Sequence, residues 1–418
     1  MDPRSSPDTI ESVPEKARIL NFRTGKLRLG FVCIEDASDI RTWSGTPFHI
    51  LSHLQSDPEV EVQLFSPLDR RMRYALTPAK LFATLRHRSF MPDRSPLLLR
   101  SYARQIERRF RAHPVDVVFS TSSIPVTFLR CPQPIVIWTD AVLHSMIGYY
   151  NGVFDTVPSS AIETGKRQEF TALQRCAAAI YSSRWAAAAA ATLTDPQKIH
   201  VLPFGSSLPS NSTPENIALE ARKKRESRPN SCKLLFIGAD WVRKGGDMAI
   251  EVARNLNESG TNTTLQMVGA TPPANSPSFV EALGFIDKST EQGTARLTSL
   301  YQEADFFLLP TKAEASAIVF CEASSFGLPT LTHDTGGVRD YIKDGVNGVC
   351  LPLSARAADF ADEIRAWLSH PADYEALAVG AFLEYRNRLN WRSSTHRLVE
   401  ICRSLAVPHP PPAHTTIG

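Results

Sequence analysis

The chain has 418 residues, of which 43% are hydrophobic, 21% charged and 9% aromatic. A length of this order predicts two or three domains, and the composition supplies a sizeable core, which excludes a mostly disordered or fibrous chain. The net charge of +3 is unevenly spread: residues 68–113 hold twelve Lys or Arg against three acids, a local +9 that leaves −6 on the remainder.

A basic block in a near-neutral protein points to a local anionic partner such as a membrane surface, a phosphorylated lipid or nucleic acid. No run of 18 apolar residues is present, so a spanning helix is not expected; the alanine run at 186–191 is too short and too weakly apolar. The first 18 residues are polar, of mixed charge, and lack the apolar segment of a secretory signal. Seven cysteines are scattered, odd in number and without a C-x-x-C pair. A reduced cytoplasmic protein fits that pattern better than a disulfide scaffold or a zinc site.

Short apolar runs alternate with helix-length stretches. In the first half, residues 27–34, 60–65, 116–120, 135–139, 178–182 and 200–203 read as strands, with helical segments such as 47–55 and 161–175 between them. Such alternation predicts an α/β fold with a parallel sheet covered by helices on both faces. Residues 206–232 are rich in Ser, Asn, Pro and charge and read as a linker. The alternation restarts with strands at 233–238, 264–268, 305–309 and 330–332, then helical patterns at 357–368, 372–385 and 393–405. The expected organisation is a first doubly wound, Rossmann-like domain over 1–205, the linker, and a second over 233–385. A C-terminal helix at 386–405 could pack back on the first domain, and a Pro-rich tail from 406 to 418 is expected to be disordered. Two such domains face each other across a cleft, and ligands bind beyond the carboxyl ends of the strands.

The segment 310–329, PTKAEASAIVFCEASSFGLP, follows a strand-like run, and its Gly327 and Pro329 form a helix stop. A helix is therefore expected from about Ala317 to Phe326. Its free backbone N–H groups, near Ala317, Ile318 and Val319, suit a phosphate. Glu314 before this start and Glu322 one turn inside it could accept hydrogen bonds from sugar hydroxyls; they could equally be a first-turn acid and a surface acid. The segment 236–247, FIGADWVRKGGD, runs from a strand into Arg243-Lys244-Gly245-Gly246. Glycines admit close backbone approach, and Lys244 or Arg243 can neutralise phosphate oxygens. The P-loop spacing is absent, and a solvated basic loop is the competing account.

Taken together, these two segments make the second half resemble the donor-binding domain of glycosyltransferase family 4. Its members adopt the two-domain GT-B fold and usually retain anomeric configuration. The resemblance rests on Glu314 and Glu322, separated by seven residues in EASAIVFCEASSFGLP, with DWVRKGG, Gly269 in MVGA and HDTGGVRDYIKDGVNGVCLP at 333–352. By position it implies a nucleotide-diphosphate sugar as donor. Lys244 would contact the diphosphate, Glu314 the transferred sugar and Glu322 the ribose. The backbone of Ala317, Ile318 and Val319 would line the phosphates, and Phe285, Ile286 and Lys288 in GFIDK would sit near the base. Two residues depart from the family pattern: Ala239 stands where an arginine is frequent, with Arg243 as a replacement for its charge, and Ala317 stands where glycine is common.

The first half resembles the family more weakly. Trp43-Ser44-Gly45-Thr46-Pro47 looks like the glycine loop that reaches toward the donor phosphates, with Pro47 in a first helical turn; a plain tight turn explains it equally. Asp140, in WTDAVLHSMIGYY at 138–150, follows a strand near the place where relatives put an acceptor-contacting His or Asp. His144, four residues on, would share a helical face with Asp140 or be a partly buried structural histidine. Residues 95–111 read as a basic amphipathic helix with Leu99, Tyr102, Ile106 and Phe110 on one stripe. That stripe suits an anionic membrane or the face packed on the sheet. No nucleic-acid module accompanies the charge.

The expected function is transfer of a sugar from a nucleotide-diphosphate sugar to a hydroxyl of a glycan or lipid-linked acceptor, at the inner face of a membrane or in the cytoplasm. No D-x-D pair occurs, so no metal cofactor is expected. Alternatives are an epimerase or phosphorylase of the same architecture, or a non-catalytic sugar-nucleotide-binding subunit. Hydride transfer is disfavoured because no G-x-G-x-x-G follows a strand.

Overall fold

Each half of the chain closes around its own parallel sheet, as the repeated strand–helix alternation requires. The structure, a computed structural model, describes residues 25–406. The polar stretch 1–18 and the tail at 407–418 lie outside those residues. The first domain runs β1 (Leu27–Val32), α1 (Thr46–Ser56), β2 (Val60–Phe65), α2 (Thr77–Leu85), α3 (Pro96–Ala112), β3 (Val117–Ser120), β4 (Ile135–Thr139), α4 (Leu143–Met146), α5 (Ser159–Arg175), β5 (Ala178–Tyr181), α6 (Arg184–Ala191) and β6 (Ile199–Val201). The second runs α7 (Pro214–Ser227), β7 (Ser231–Gly238), α8 (Trp241–Lys244), α9 (Gly246–Glu258), β8 (Asn262–Gly269), β9 (Val280–Gly284), α10 (Glu291–Glu303), β10 (Phe306–Leu309), α11 (Ile318–Ser325), β11 (Thr330–His333), β12 (Gly348–Leu351), α12 (Ala357–Ser369) and α13 (Pro371–Asn387). A last helix, α14 (Trp391–Leu405), follows.

Strand order is β2-β1-β3-β4-β5-β6 in the first sheet and β12-β11-β10-β7-β8-β9 in the second. The order reverses between β1 and β3, and again between β7 and β10. Chain leaving neighbouring strands at such a point diverges and opens a crevice at their carboxyl ends. The loops after β1, β3, β7 and β10 are therefore the ones placed to hold a ligand. Strands β3, β4 and β10 bury every residue, because helices cover both faces of a parallel sheet; their sequences are accordingly continuous apolar runs.

The chain crosses between domains twice, side by side. Ser206 donates its N–H to the Leu389 carbonyl at 3.1 Å. A Cβ at Gly205 would stand 2.2 Å from the Trp391 nitrogen, so only glycine lets the two crossings touch. Past the second crossing, α14 buries Trp391, Leu398, Val399 and Cys402 with Phe31, Ile50 and Leu54 of the first domain.

Three expectations need correction. Residues 206–232 are not simply a linker, since α7 occupies 214–227. Thr213 caps it by accepting from Asn216 N–H, Pro214 opens the first turn, and Ile217 and Ala221 are buried. Buried Arg225 then ties it to the second sheet, donating to Asp305 at 2.6 Å. The stripe on α3 is settled as well: Leu99, Tyr102 and Ile106 are buried in the core and Phe110 packs against it. Burial of such side chains is worth about 1.5–3 kcal/mol each, so this face is held by the sheet and is not free for a membrane. Finally, β9 and β12 were not read as strands. β9 is a half-exposed edge strand containing Glu281, and β12 is four residues beginning with glycine. Among the described residues no helix is long and apolar enough to cross a membrane.

Candidate active site

The second domain builds its half of the site from the loops after β7 and β10. Asp240 caps α8 by accepting from Arg243 N–H. The chain then turns through Gly245 (φ +79), where a Cβ would meet the Pro310 carbonyl oxygen at 2.2 Å. That close approach lays the Arg243-Lys244 pair against the loop 310–317. The Lys244 ammonium contacts the Glu314 carboxylate, and both side chains are nearly buried. Arg243 Nη1 reaches the same carboxylate at 3.4 Å and the Ala313 carbonyl at 3.0 Å. Glu314 is thus a loop acid between two cations rather than a first-turn acid.

Helix α11 starts at Ile318 with Ala317 as its unassisted cap. The backbone N–H groups of Ser316, Ala317, Ile318 and Val319 find no acceptor among the described residues. Four free donors at the positive end of a helix, beside two cations, form an anion-binding surface. The side chain of Ile318 turns instead into the first-domain core.

A cavity of about 350 Å³ continues from this point between the domains. Gly269, Phe285, Ile286, Lys288, Val319 and Glu322 all line it, as do Arg41 and Ser44 of the first domain. Glu322 is 2% exposed; it accepts from Lys288 Nζ at 2.9 Å and from Tyr301 Oη at 2.9 Å. It is a buried anchor, not a surface acid. Phe285 is 81% exposed at the rim, where its ring is free to cover a planar group. Gly269 has φ +93, and a Cβ there would lie 3.0 Å from the Gly238 oxygen.

On the first-domain side, Trp43, Ser44 and Gly45 carry successive positive φ values of 42, 55 and 84. Left-handed conformation in non-glycine residues costs energy and tends to mark ligand loops. Gly45 caps α1 and Pro47 sits in its first turn; Ser44 and Arg41, rather than Gly45, face the cavity. Asp140 ends β4 and lines a second cavity of about 420 Å³ with Trp43, Thr121 and Ser122. Loss of hydration pushes its carboxyl up to about 6, and the Glu314 carboxylate adds to the effect. The expected Asp140–His144 pair does not form a helical face: Val142 is extended and α4 begins at Leu143. His144 is exposed, not partly buried, and does not line this cavity.

Two residues that the sequence analysis passed over reach across the cleft. Tyr149 Oη accepts from Glu314 N–H at 2.8 Å, and Tyr150 Oη accepts from Ala315 N–H at 3.0 Å. Gly337 N–H donates to the Glu314 carbonyl at 2.9 Å. The only available signal was a pair of adjacent tyrosines shortly after a cleft-side strand end.

Residues 218–382 match the family of glycosyl transferases group 1. The matched segment holds Lys244, Gly269, Lys288, Glu314 and Glu322, that is, the second-domain half of this site. The chain is 33% identical over 163 residues to the lipopolysaccharide glucosyltransferase WaaG of Escherichia coli (strain K12), across 38% of this chain and 43% of that protein. It is 28% identical over 218 residues to a D-inositol 3-phosphate glycosyltransferase of Actinosynnema mirum, across 49% and 51%. The matched regions thus span about half the length of these relatives. Structural likeness is wider. A crystal structure of WaaG aligns with a TM-score of 0.60 at 17% identity, over 90% of this chain and 99% of that one. Anabaena Alr3699/HepE in complex with UDP aligns with a TM-score of 0.59 at 14% identity, over 91% and 100%. The fold is GT-B: two parallel-sheet domains facing a cleft.

Proposed function

We propose that the protein is a glycosyltransferase that moves a sugar from a nucleotide-diphosphate sugar to an acceptor hydroxyl in glycan, polysaccharide or glycolipid synthesis. One observation carries this: the free N–H groups of 316–319, the Lys244–Glu314 contact and the Glu322 cavity converge at the switch point of the second sheet. The match to group 1 glycosyl transferases over this segment supports it. The spacing of Glu314 and Glu322 supports the reading that the chain is a family 4 enzyme, for which retention is the expected stereochemistry.

In this reading the base and ribose occupy the 350 Å³ cavity, with Phe285 and Ile286 against the base and Glu322 on the ribose. The diphosphate lies on the helix start beside Lys244 and Arg243. Breaking the sugar–phosphate bond leaves negative charge on the diphosphate. Preorganised cations and N–H groups then stabilise it, one such contact being worth roughly 3–4 kcal/mol. These groups supply the positive charge, so no metal cofactor enters the proposal. Glu314 orients the transferred sugar, and Asp140 faces the acceptor side. Closure of the domains excludes water and limits hydrolysis.

The acceptor is a glycan or a lipid-linked sugar. Membrane contact belongs to the same proposal but shifts in place. The apolar stripe of 95–111 is buried, whereas Tyr74, Leu81, Phe82 and Leu85 are exposed within the basic block. This surface would meet anionic lipid. The test of function is a thermal-shift panel of UDP, GDP and ADP sugars, starting with UDP-glucose because HepE was solved with UDP-glucose. A stabilising response to at least one sugar nucleotide is expected. Indifference to the whole panel ends the proposal.

A further inference from the structure

The first domain holds the sugar-facing loop of the second through two phenolic oxygens. Glu314 N–H donates to Tyr149 Oη at 2.8 Å, and the same oxygen lies 3.0 Å from Thr335 Oγ1 and 3.4 Å from the Glu314 carbonyl. Ala315 N–H donates to Tyr150 Oη at 3.0 Å. The surroundings are shaped for this contact. At Gly336 a Cβ would stand 2.1 Å from Tyr149 Oη, and at Gly337 one would stand 2.0 Å from the Ala315 carbonyl oxygen. The rings are fixed from behind: Tyr149 packs on Trp185 with centroids 4.6 Å apart, and Arg243 lies over Tyr150 at 5.8 Å.

The consequence is a division of labour within one loop. Its N–H groups at 314 and 315 are taken by the tyrosines, while the next four, at 316–319, have no acceptor among the described residues. Fixing the backbone at 314 and 315 fixes the Cα from which the Glu314 carboxylate extends to Lys244.

We infer that Tyr149 and Tyr150 are positioning residues that set the Glu314 carboxylate for the transferred sugar, acting from the opposite domain. The inference rests on the glycosyltransferase reading and extends it. Neither tyrosine needs to touch the donor. Burial and the neighbouring carboxylate push both phenols upward, so each stays protonated. Each therefore accepts from the loop through its oxygen and keeps a proton, which Tyr149 can give to Thr335.

Tyr149→Phe and Tyr150→Phe keep the rings and remove the oxygens. Two measurements are made on the full chain. Hydrogen exchange of a peptide covering 311–320 is followed without ligand. Affinity for UDP-, GDP- and ADP-glucose is compared with that for each bare diphosphate. The expected result is faster exchange in that peptide. Bare diphosphate should bind within twofold of wild type. The extra affinity contributed by the sugar should fall by about tenfold, the scale set by misplacing an orienting group. A merely adhesive contact would lower the melting temperature and weaken both ligands together. If wild type prefers a sugar nucleotide and the variants keep that preference in full, or if exchange is unchanged, the positioning role is wrong while the functional reading stands. If wild type binds nothing in the panel, the functional reading falls and takes this role with it.

Discussion

Lys288 Nζ and the Glu322 carboxylate are joined at 2.9 Å inside the nucleotide-sized cavity, and Tyr301 Oη holds the other carboxylate oxygen at 2.9 Å. Glu322 is therefore occupied before any ligand arrives. Its removal does two things. Glu322→Ala leaves the buried Tyr301 hydroxyl without its acceptor, at a cost of about 1–3 kcal/mol, and it deletes the ribose contact proposed above. Glu322→Gln retains an acceptor for Tyr301. We expect Glu322→Ala to lower both the melting temperature and sugar-nucleotide affinity, and Glu322→Gln to lower chiefly the affinity. Thermal melts with and without UDP-glucose separate the two effects. Equal ligand shifts in wild type and both variants would remove Glu322 from the site.

Lys244 is assigned to the diphosphate, yet it also neutralises Glu314. Breaking one member of a buried pair leaves an uncompensated charge and costs about 3–5 kcal/mol. Arg243, 3.4 Å from the same carboxylate, offsets part of that. Lys244→Met should weaken bare diphosphate at least tenfold, about 1.4 kcal/mol, and lower the melting temperature. Adding Glu314→Gln should restore the melting temperature but not the diphosphate affinity. Calorimetric titration of UDP, GDP and ADP into wild type and the two variants, with a thermal melt of each, decides it. Recovery of both properties in the double variant would show that Lys244 serves Glu314 alone.

Asp140 has its carboxyl raised to about 6, from an ordinary value near 3.8, first by lost hydration and then by Glu314. Between those two values the folded state holds the proton more often than the unfolded state. Stability from this group therefore falls as pH rises from about 4 to 6 and is level above. Asp140→Asn removes the effect. Melting temperatures of wild type should decline relative to Asp140→Asn across that window and run parallel above it. Parallel curves throughout, from pH 4 to 8, contradict the raised value.

How much of this was readable beforehand follows sequence distance. Lys244, Glu314 and Glu322 sit in local motifs directly after strands, where a strand end and a helix stop are visible in consecutive residues. Their cleft position followed from alternation alone. The Tyr149–Glu314 contact spans 165 positions and has no local mark. Helix α7 was hidden by the Ser-, Asn- and Pro-rich run before it, and its buried side amounts to Ile217, Ala221 and Arg225. The α3 stripe was visible, but whether it met a sheet or a lipid surface depended on the packing of β1 and β3, which periodicity cannot carry. The Asp140–His144 relation failed because three residues of non-helical chain separate strand from helix.

The same packing decides where a membrane could touch. Leu98, Leu99, Tyr102 and Ile106 of α3 are buried, so replacing them tests folding rather than lipid contact. A cluster of exposed apolar side chains lies on and beside α2: Tyr74, Leu81, Phe82 and Leu85, with Arg86 over the Phe82 ring at 4.3 Å. Juxtaposed basic side chains contribute about 1 kcal/mol each near an anionic surface, and salt screens them. Wild type should therefore sediment with vesicles containing phosphatidylglycerol at low salt, and less at high salt or with phosphatidylcholine alone. Leu81→Ser/Phe82→Ser/Leu85→Ser should lose most of this binding with little change in melting temperature, since these positions contribute few core contacts. Leu98→Ser should instead lower the melting temperature. If the triple variant sediments as wild type does, the α2 surface is not the lipid contact.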